Sequence, residues 1–160
     1  MNTQSKIYVA GHRGLVGSAI VRALEKGGYH TIITASHSEI DLCNQMAVDQ
    51  FIAMQRPEYI FVAAARVGGI FSNIQEPATF LYENTMIAAN VIHAAYRHGV
   101  HKVLFLGSSC IYPRNCPQPI TEESLLTGPL EATNEAYAIA KITGLKLCQA
   151  YNTQYGAQGG

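Results

Sequence analysis

Ile7-Tyr8-Val9-Ala10-Gly11-His12-Arg13-Gly14-Leu15-Val16-Gly17 decides the fold. Four apolar residues run up to a glycine, the pattern of a short strand buried on both faces. Leu15 to Lys26 then carries apolar residues at helical spacing and stops at Gly27-Gly28, a helix C-cap. A glycine-rich turn between a strand and a helix cradles a pyrophosphate. Gly11 permits the tight turn, Gly14 lets the backbone approach the phosphates, and Gly17 lets helix and strand pack closely. The helix N-terminus offers unpaired N–H groups and the positive end of a dipole. The spacing is G-x-x-G-x-x-G rather than G-x-G-x-x-G, so the glycines alone are a weak signal. Their place between the first strand and the first helix gives them weight.

Outward from this loop the order of elements is regular. Thr31 to Thr34 reads as a β-branched strand, Asn44 to Met54 as a helix ended by Arg56-Pro57, and Tyr59 to Val62 as a third strand. A long helix from Pro77 to Arg97 has proline in its first turn, and Val103 to Leu106 is the fourth strand. A segment holding Pro113, Pro117, Pro119 and Pro129 follows, too long for an ordinary connection. The last helix runs from about Asn134 to Tyr155. Alternating strands and helices imply an α/β fold, a Rossmann-like doubly wound parallel sheet with both faces covered. Residues 1–160 are expected to form one dinucleotide-binding domain.

Composition narrows the classes. Hydrophobic residues make up 48% and charged residues 14%, a balance that buries a core and argues against disorder. Lys plus Arg and Asp plus Glu are 11 each, so no basic excess points to nucleic acid or an anionic membrane. No apolar run approaches the roughly 18 residues of a membrane span. Cys43, Cys110, Cys116 and Cys148 are irregularly spaced, and the start carries no signal or transit pattern, so free thiols in the cytoplasm are expected. The six histidines are scattered, and metal binding is not expected.

Two further patterns carry chemistry. No acid ends the second strand, which reads Thr34-Ala35-Ser36-His37-Ser38, whereas Arg13 projects from the glycine loop. An acid there would hold the ribose of NAD; a cation suits the extra phosphate of NADP, which is the expected cofactor. Asp41-Leu42 is placed to pass the adenine, with Asp41 either accepting a hydrogen bond or capping the next helix. Tyr137 and Lys141 stand i, i+4 on the last helix and share a face, as a proton donor and its tuner require. The ammonium is expected to lower the phenol's pKa. Ser108, past the fourth strand, is placed to polarise a substrate carbonyl. Cys110, two residues on, is placed to take a proton alpha to a ketone, although a small buried core cysteine is the ordinary alternative.

The chain resembles the extended short-chain dehydrogenase/reductases and, among them, the GDP-L-fucose synthase family. The resemblance rests on residues 10–20 (AGHRGLVGSAI), 63–70 (AAARVGGI), 106–113 (LGSSCIYP) and 134–141 (NEAYAIAK), and runs from about Lys6 to Gly156. It implies NADPH-dependent epimerisation and reduction of GDP-4-keto-6-deoxy-D-mannose. Tyr137 would protonate the 4-oxygen, Ser108 would hold it, Cys110 would be the epimerisation base, and Lys141 would bind the nicotinamide ribose. Gly11, His12, Arg13, Gly14, Leu15, Val16 and Gly17 would hold the dinucleotide, with His37, Asp41, Leu42, Ala63, Ala64, Ala65, Leu106, Gly107 and Ser109. A homodimer is implied, pairing the two long helices through residues such as Leu81, Met86, Ile87, Leu145 and Leu147, some of which must instead pack on the sheet.

The sequence departs from the family in two ways. Arginine common after the second strand is replaced by Ala35 and His37, which leaves Arg13 more of the phosphate and His37 a share when protonated. The family is about twice this length, and Tyr155 to Gly160 ends where a fifth strand would begin. A truncated chain is expected, binding cofactor but inactive alone. The alternatives are another nucleotide-sugar epimerase or dehydratase, and a non-catalytic nucleotide-binding or dimerising fragment. Ser109-Cys110-Ile111 stands where the dehydratases carry an acidic pair.

Overall fold

In the computed structural model, which describes residues 1–156, strands β1 (Ile7–Ala10), β2 (Ile32–Ile33), β3 (Tyr59–Val62) and β4 (Lys102–Phe105) form one parallel sheet in the order β2-β1-β3-β4. The helices are α1 (Leu15–Lys26), α2 (Gln45–Gln55), α3 (Ile70–Gln75), α4 (Pro77–Arg97) and α5 (Glu135–Tyr155). The chain leaves β1 toward β2 and returns to β3 on the other side of β1. Ala10 and Val62 stand level in the register, so the ligand-binding switch point of an open α/β sheet falls between their C-terminal ends.

Alternation along the strands builds two cores. Tyr8, Ala10, Ile60 and Val62 face α2 and α4, packing with Val48, Ile52, Val91 and Ala95. Ile7 and Val9 face α1 and pack with Leu24. β1 is buried along its whole length, as expected. β4 is not: Val103 and Phe105 turn inward, whereas Lys102 is exposed and Leu104 is 46% exposed. The expected cover on both faces is therefore absent from one face of this edge strand among the described residues.

Two glycines allow the first βα turn. Gly11 has φ +80°, and a Cβ on it would come within 2.6 Å of the Ala64 nitrogen. A Cβ on Gly17 would collide with the Gly11 carbonyl oxygen, so α1 leaves the strand at backbone contact.

Some boundaries move. β2 spans only Ile32–Ile33, not Thr31 to Thr34, and β4 starts and ends one residue earlier than Val103 to Leu106. α2 begins after Asn44, whose side chain accepts from the Ala47 N–H at 3.1 Å and caps the helix. Asp41 is therefore not the cap; it accepts from the Cys43 N–H at 2.9 Å in the turn before. α3 had no forecast: six residues are too few for a helical period to stand out. The proline-rich segment folds into two short 3₁₀ turns, Ser109–Ile111 and Glu122–Ser124. The expected fifth-strand position falls partly on residues 157–160, outside the described residues.

α4 and α5 lie against each other along their lengths. Near their ends Tyr96 stacks on Tyr155 at 4.3 Å, Tyr151 packs against both, and Tyr151 shares a 2.5 Å hydrogen bond with His93. Ile87, one of the residues expected to face a partner, instead packs against the sheet core.

Candidate active site

A cleft of about 640 Å³ opens above the C-terminal ends of β1, β2 and β3. Gly11, His12, Arg13, Gly14, Leu15 and Val16 form one wall, His37, Asp41 and Leu42 a second, and Ala63, Ala64 and Ala65 the floor beyond β3. Gly17 is buried beneath the loop and takes no part in the lining. Its role is the close packing of α1.

The chemistry of the first wall suits a pyrophosphate. Gly14 precedes α1 with no side-chain cap, and no acid stands in the first turn. The opening N–H groups therefore lack a side-chain acceptor, and the dipole's positive end is uncompensated. His12 Nδ1 is buried with no hydrogen-bond partner, a polar atom that a ligand oxygen would satisfy. The residues present fit a dinucleotide.

Behind the second wall, outside the cleft lining, stands a residue that the reading of the strand end overlooked. Glu39 folds back so that its Oε2 accepts from the Ser36 N–H at 2.7 Å and from the Ser36 hydroxyl at 2.6 Å. These bonds hold the carboxyl below the usual range, with Arg13 and His12 adding a smaller pull. Residues 34–38 hold no acid, as read, but the carboxylate of Glu39, one residue beyond them, folds back onto Ser36. The signal was present as Ser36-x-x-Glu39, a capping-box spacing.

Ser108, Cys110, Tyr137 and Lys141 do not line this cleft; they gather one strand over, past the end of β4. Ser108 precedes the 3₁₀ turn in extended backbone (φ −156°). Its oxygen accepts from the Cys110 thiol at 3.2 Å and from the Cys110 N–H at 3.5 Å. With both bonds accepted, the serine proton is free to donate outward. Lys141 is 4% exposed; its ammonium donates to the Leu106 carbonyl at 2.9 Å and lies 5.8 Å from the Tyr137 ring centre. Burial pushes the lysine's pKa down. Burial and Cys110 push the Tyr137 phenol up, with the neighbouring Ser108 hydroxyl pulling the other way. The expected lowering of Tyr137 by Lys141 is therefore not found: the ammonium is engaged with a backbone carbonyl, not the phenol oxygen.

Leu106, Gly107 and Ser109 frame this second group and lie outside the cleft lining. Sequence reasoning also missed Arg66. It borders the cleft, pairs with Glu76 at 2.7 Å, and has its backbone N–H and carbonyl held by the Asn84 side chain at 2.8 and 3.0 Å. Cys43 lines the cleft too, its thiol donating to the Glu83 carbonyl at 3.7 Å. Among the described residues no cluster of three or more His, Cys, Asp or Glu is placed to hold a metal ion. Among them, too, no helix is long and apolar enough to cross a membrane.

Comparison with known proteins agrees with this architecture. The chain is 57% identical to GDP-L-fucose synthase 1 of Arabidopsis thaliana over 95% of its own length and 47% of that protein. A GDP-mannoheptose C4 reductase of Campylobacter jejuni, solved with NADP bound, is 43% identical. It superposes with a TM-score of 0.94 over 98% of this chain and 49% of that one. A GDP-L-fucose synthetase of Naegleria fowleri bound to NADP is 30% identical, with a TM-score of 0.86 over 96% and 46% of the two chains. The chain thus spans about half the length of the curated relatives it matches. The model of the NAD dependent epimerase/dehydratase family matches residues 7–159, and the chain belongs to that family.

Proposed function

We propose that this chain is the NADP-binding half of a GDP-sugar epimerase/reductase, which converts GDP-4-keto-6-deoxy-D-mannose to GDP-L-fucose. The observation that carries the reading is the Ser108–Cys110 pair, a thiol and a hydroxyl 3.2 Å apart beside Tyr137. The bound dinucleotide supplies hydride. Everything else falls to the protein. The cleft walls bind and orient the nucleotide, with Arg13 set against the 2′-phosphate. Cys110 takes the proton alpha to the ketone, Ser108 donates to the ketone oxygen, and Tyr137 delivers the proton that completes reduction. Lys141, once released from Leu106, holds the nicotinamide ribose. Residues 1–160 act as one domain, α4 and α5 pair two chains into a homodimer, and the protein works in the cytoplasm.

A second reading, reduction of a GDP-sugar at C4 alone, draws on the GDP-mannoheptose C4 reductase among the similar structures. The experiment is incubation with NADPH and GDP-4-keto-6-deoxy-D-mannose, on the chain itself and on a fusion to the downstream half of a relative. Saturable NADPH binding by the chain and GDP-L-fucose from the fusion support the proposal. No dinucleotide binding, or reduction without inversion, overturns it.

A further inference from the structure

Two groups of opposite charge meet at the adenosine end of the cleft. Arg13 rises from the glycine loop, and Ser36 and His37 leave β2; all three line the cleft. Glu39 sits on the outer side of this group. Its Oε2 takes both donors of Ser36, the backbone N–H at 2.7 Å and the hydroxyl at 2.6 Å. The Ser36 oxygen also lies 2.9 Å from the Ser38 oxygen, so the hydroxyls are tied into the same turn. Ser36 itself is 8% exposed, which fixes the carboxylate's anchor.

A hydroxyl and an N–H at the end of β2, next to an arginine, are the donors that a phosphate on the ribose 2′-oxygen would recruit. Here an internal anion already holds them. We infer that Glu39 is a specificity-determining residue of the dinucleotide site. It occupies the Ser36 donors and opposes the field of Arg13, so the site binds NADPH less selectively than Arg13 alone would make it. The inference rests on the dinucleotide reading of the cleft and adds to it. Arg13 attracts the 2′-phosphate, Glu39 limits that attraction, and the balance sets the ratio between the two nicotinamide cofactors. A ribose without the phosphate meets no such conflict, because its 2′-hydroxyl can donate to a carboxylate.

The test is fluorescence titration of NADPH and NADH into the wild-type chain, Glu39→Gln and Glu39→Lys, with a melting curve for each. Gln keeps an oxygen for the Ser36 N–H and hydroxyl, and residue 39 is exposed, so the turn is retained. Removing one negative charge from the neighbourhood of a doubly charged phosphate is expected to raise the NADPH-over-NADH affinity ratio about five- to tenfold at low salt. The gain should come from the NADPH arm and shrink as salt is added. Glu39→Lys should raise the ratio further. A ratio unchanged in both folded variants, or moved toward NADH, overturns the inference. A wild-type chain that binds neither dinucleotide overturns the reading of the cleft itself, which keeps the two failures apart.

Discussion

Lys141 Nζ donates to the Leu106 carbonyl oxygen at 2.9 Å, fastening α5 to the mouth of β4. The bond carries a charge into the interior, and burial lowers the lysine's pKa. The cost of that buried charge is fully present below the depressed value. It is relieved as pH rises from the depressed value toward the ordinary one. Lys141→Met removes both bond and cost, so the stability loss in urea should be about 1 kcal/mol or less. NADPH affinity should nevertheless fall about tenfold, the worth of one charge-assisted contact to the ribose. A large loss of stability with affinity intact would make the residue purely structural.

Arg13 gives the second prediction. A ligand bound only by the folded state stabilises it by RT ln(1 + [L]/Kd), so at equal concentration the tighter ligand raises the melting temperature more. NADPH should raise it more than NADH at equal concentration, and Arg13→Ala should erase most of the difference. Equal shifts in the wild type would remove the phosphate role of Arg13.

In a protein carrying both halves, Cys110→Ser and Tyr137→Phe should fail differently. Without the thiol, NADPH still binds and ketone is reduced slowly without inversion. Without the phenol, epimerised ketone accumulates. Each group is expected to contribute about a hundredfold to ten-thousandfold to its step. Product analysis checks this, and identical product spectra would refute the division.

Gly17→Ala places a methyl on the Gly11 carbonyl oxygen, where neither backbone can yield without opening the phosphate loop. A loss of about 2 kcal/mol or more is expected, together with weakened dinucleotide binding. Urea midpoints and an NADPH titration read the two effects.

Tyr8 makes the fold sensitive to alkali. Burial pushes its pKa up from 10.0 to about 12. The phenol is 1% exposed and packs on Phe51 with ring centres 5.0 Å apart. A raised folded value means the contribution is fully present below about pH 10 and is lost as pH climbs through about 12. The loss is on the order of 2–3 kcal/mol. Tyr8→Phe should flatten stability across that window, measured by urea unfolding at successive pH values.

What could be read from the sequence, and what could not, follows the range of the forces involved. α1 and α4 were legible to the residue, because Gly27-Gly28 and Pro77 are local stop and start signals. β3 was equally plain, an apolar run between a turn and a glycine-containing loop. β2 shrank to two residues, since only Ile32 and Ile33 pair with β1, opposite Ile7 and Tyr8. The glycine loop and the Tyr137, Lys141, Ser108 and Cys110 positions could be placed from spacing and element order. The bond from Lys141 to Leu106 could not, since it joins residues 35 apart in the chain. Glu39 was hidden for another reason: an acid was sought at residues 34–38, whereas a turn folds Glu39 back onto Ser36 from three residues further along the chain.

The aromatic contact between α4 and α5 has an optical consequence. The chain has nine tyrosines and no tryptophan, so its ultraviolet emission and near-ultraviolet dichroism arise chiefly from phenol chromophores. Tyr96 and Tyr155 lie 4.3 Å apart, and Tyr151 touches both, close enough for their transitions to couple. The chain therefore carries an unlabelled probe at one helix–helix contact. A change in that coupled signal would report α5 sliding or lifting from α4 while the glycine loop stays silent, and the emission of NADPH could be followed in the same cuvette without an indole background.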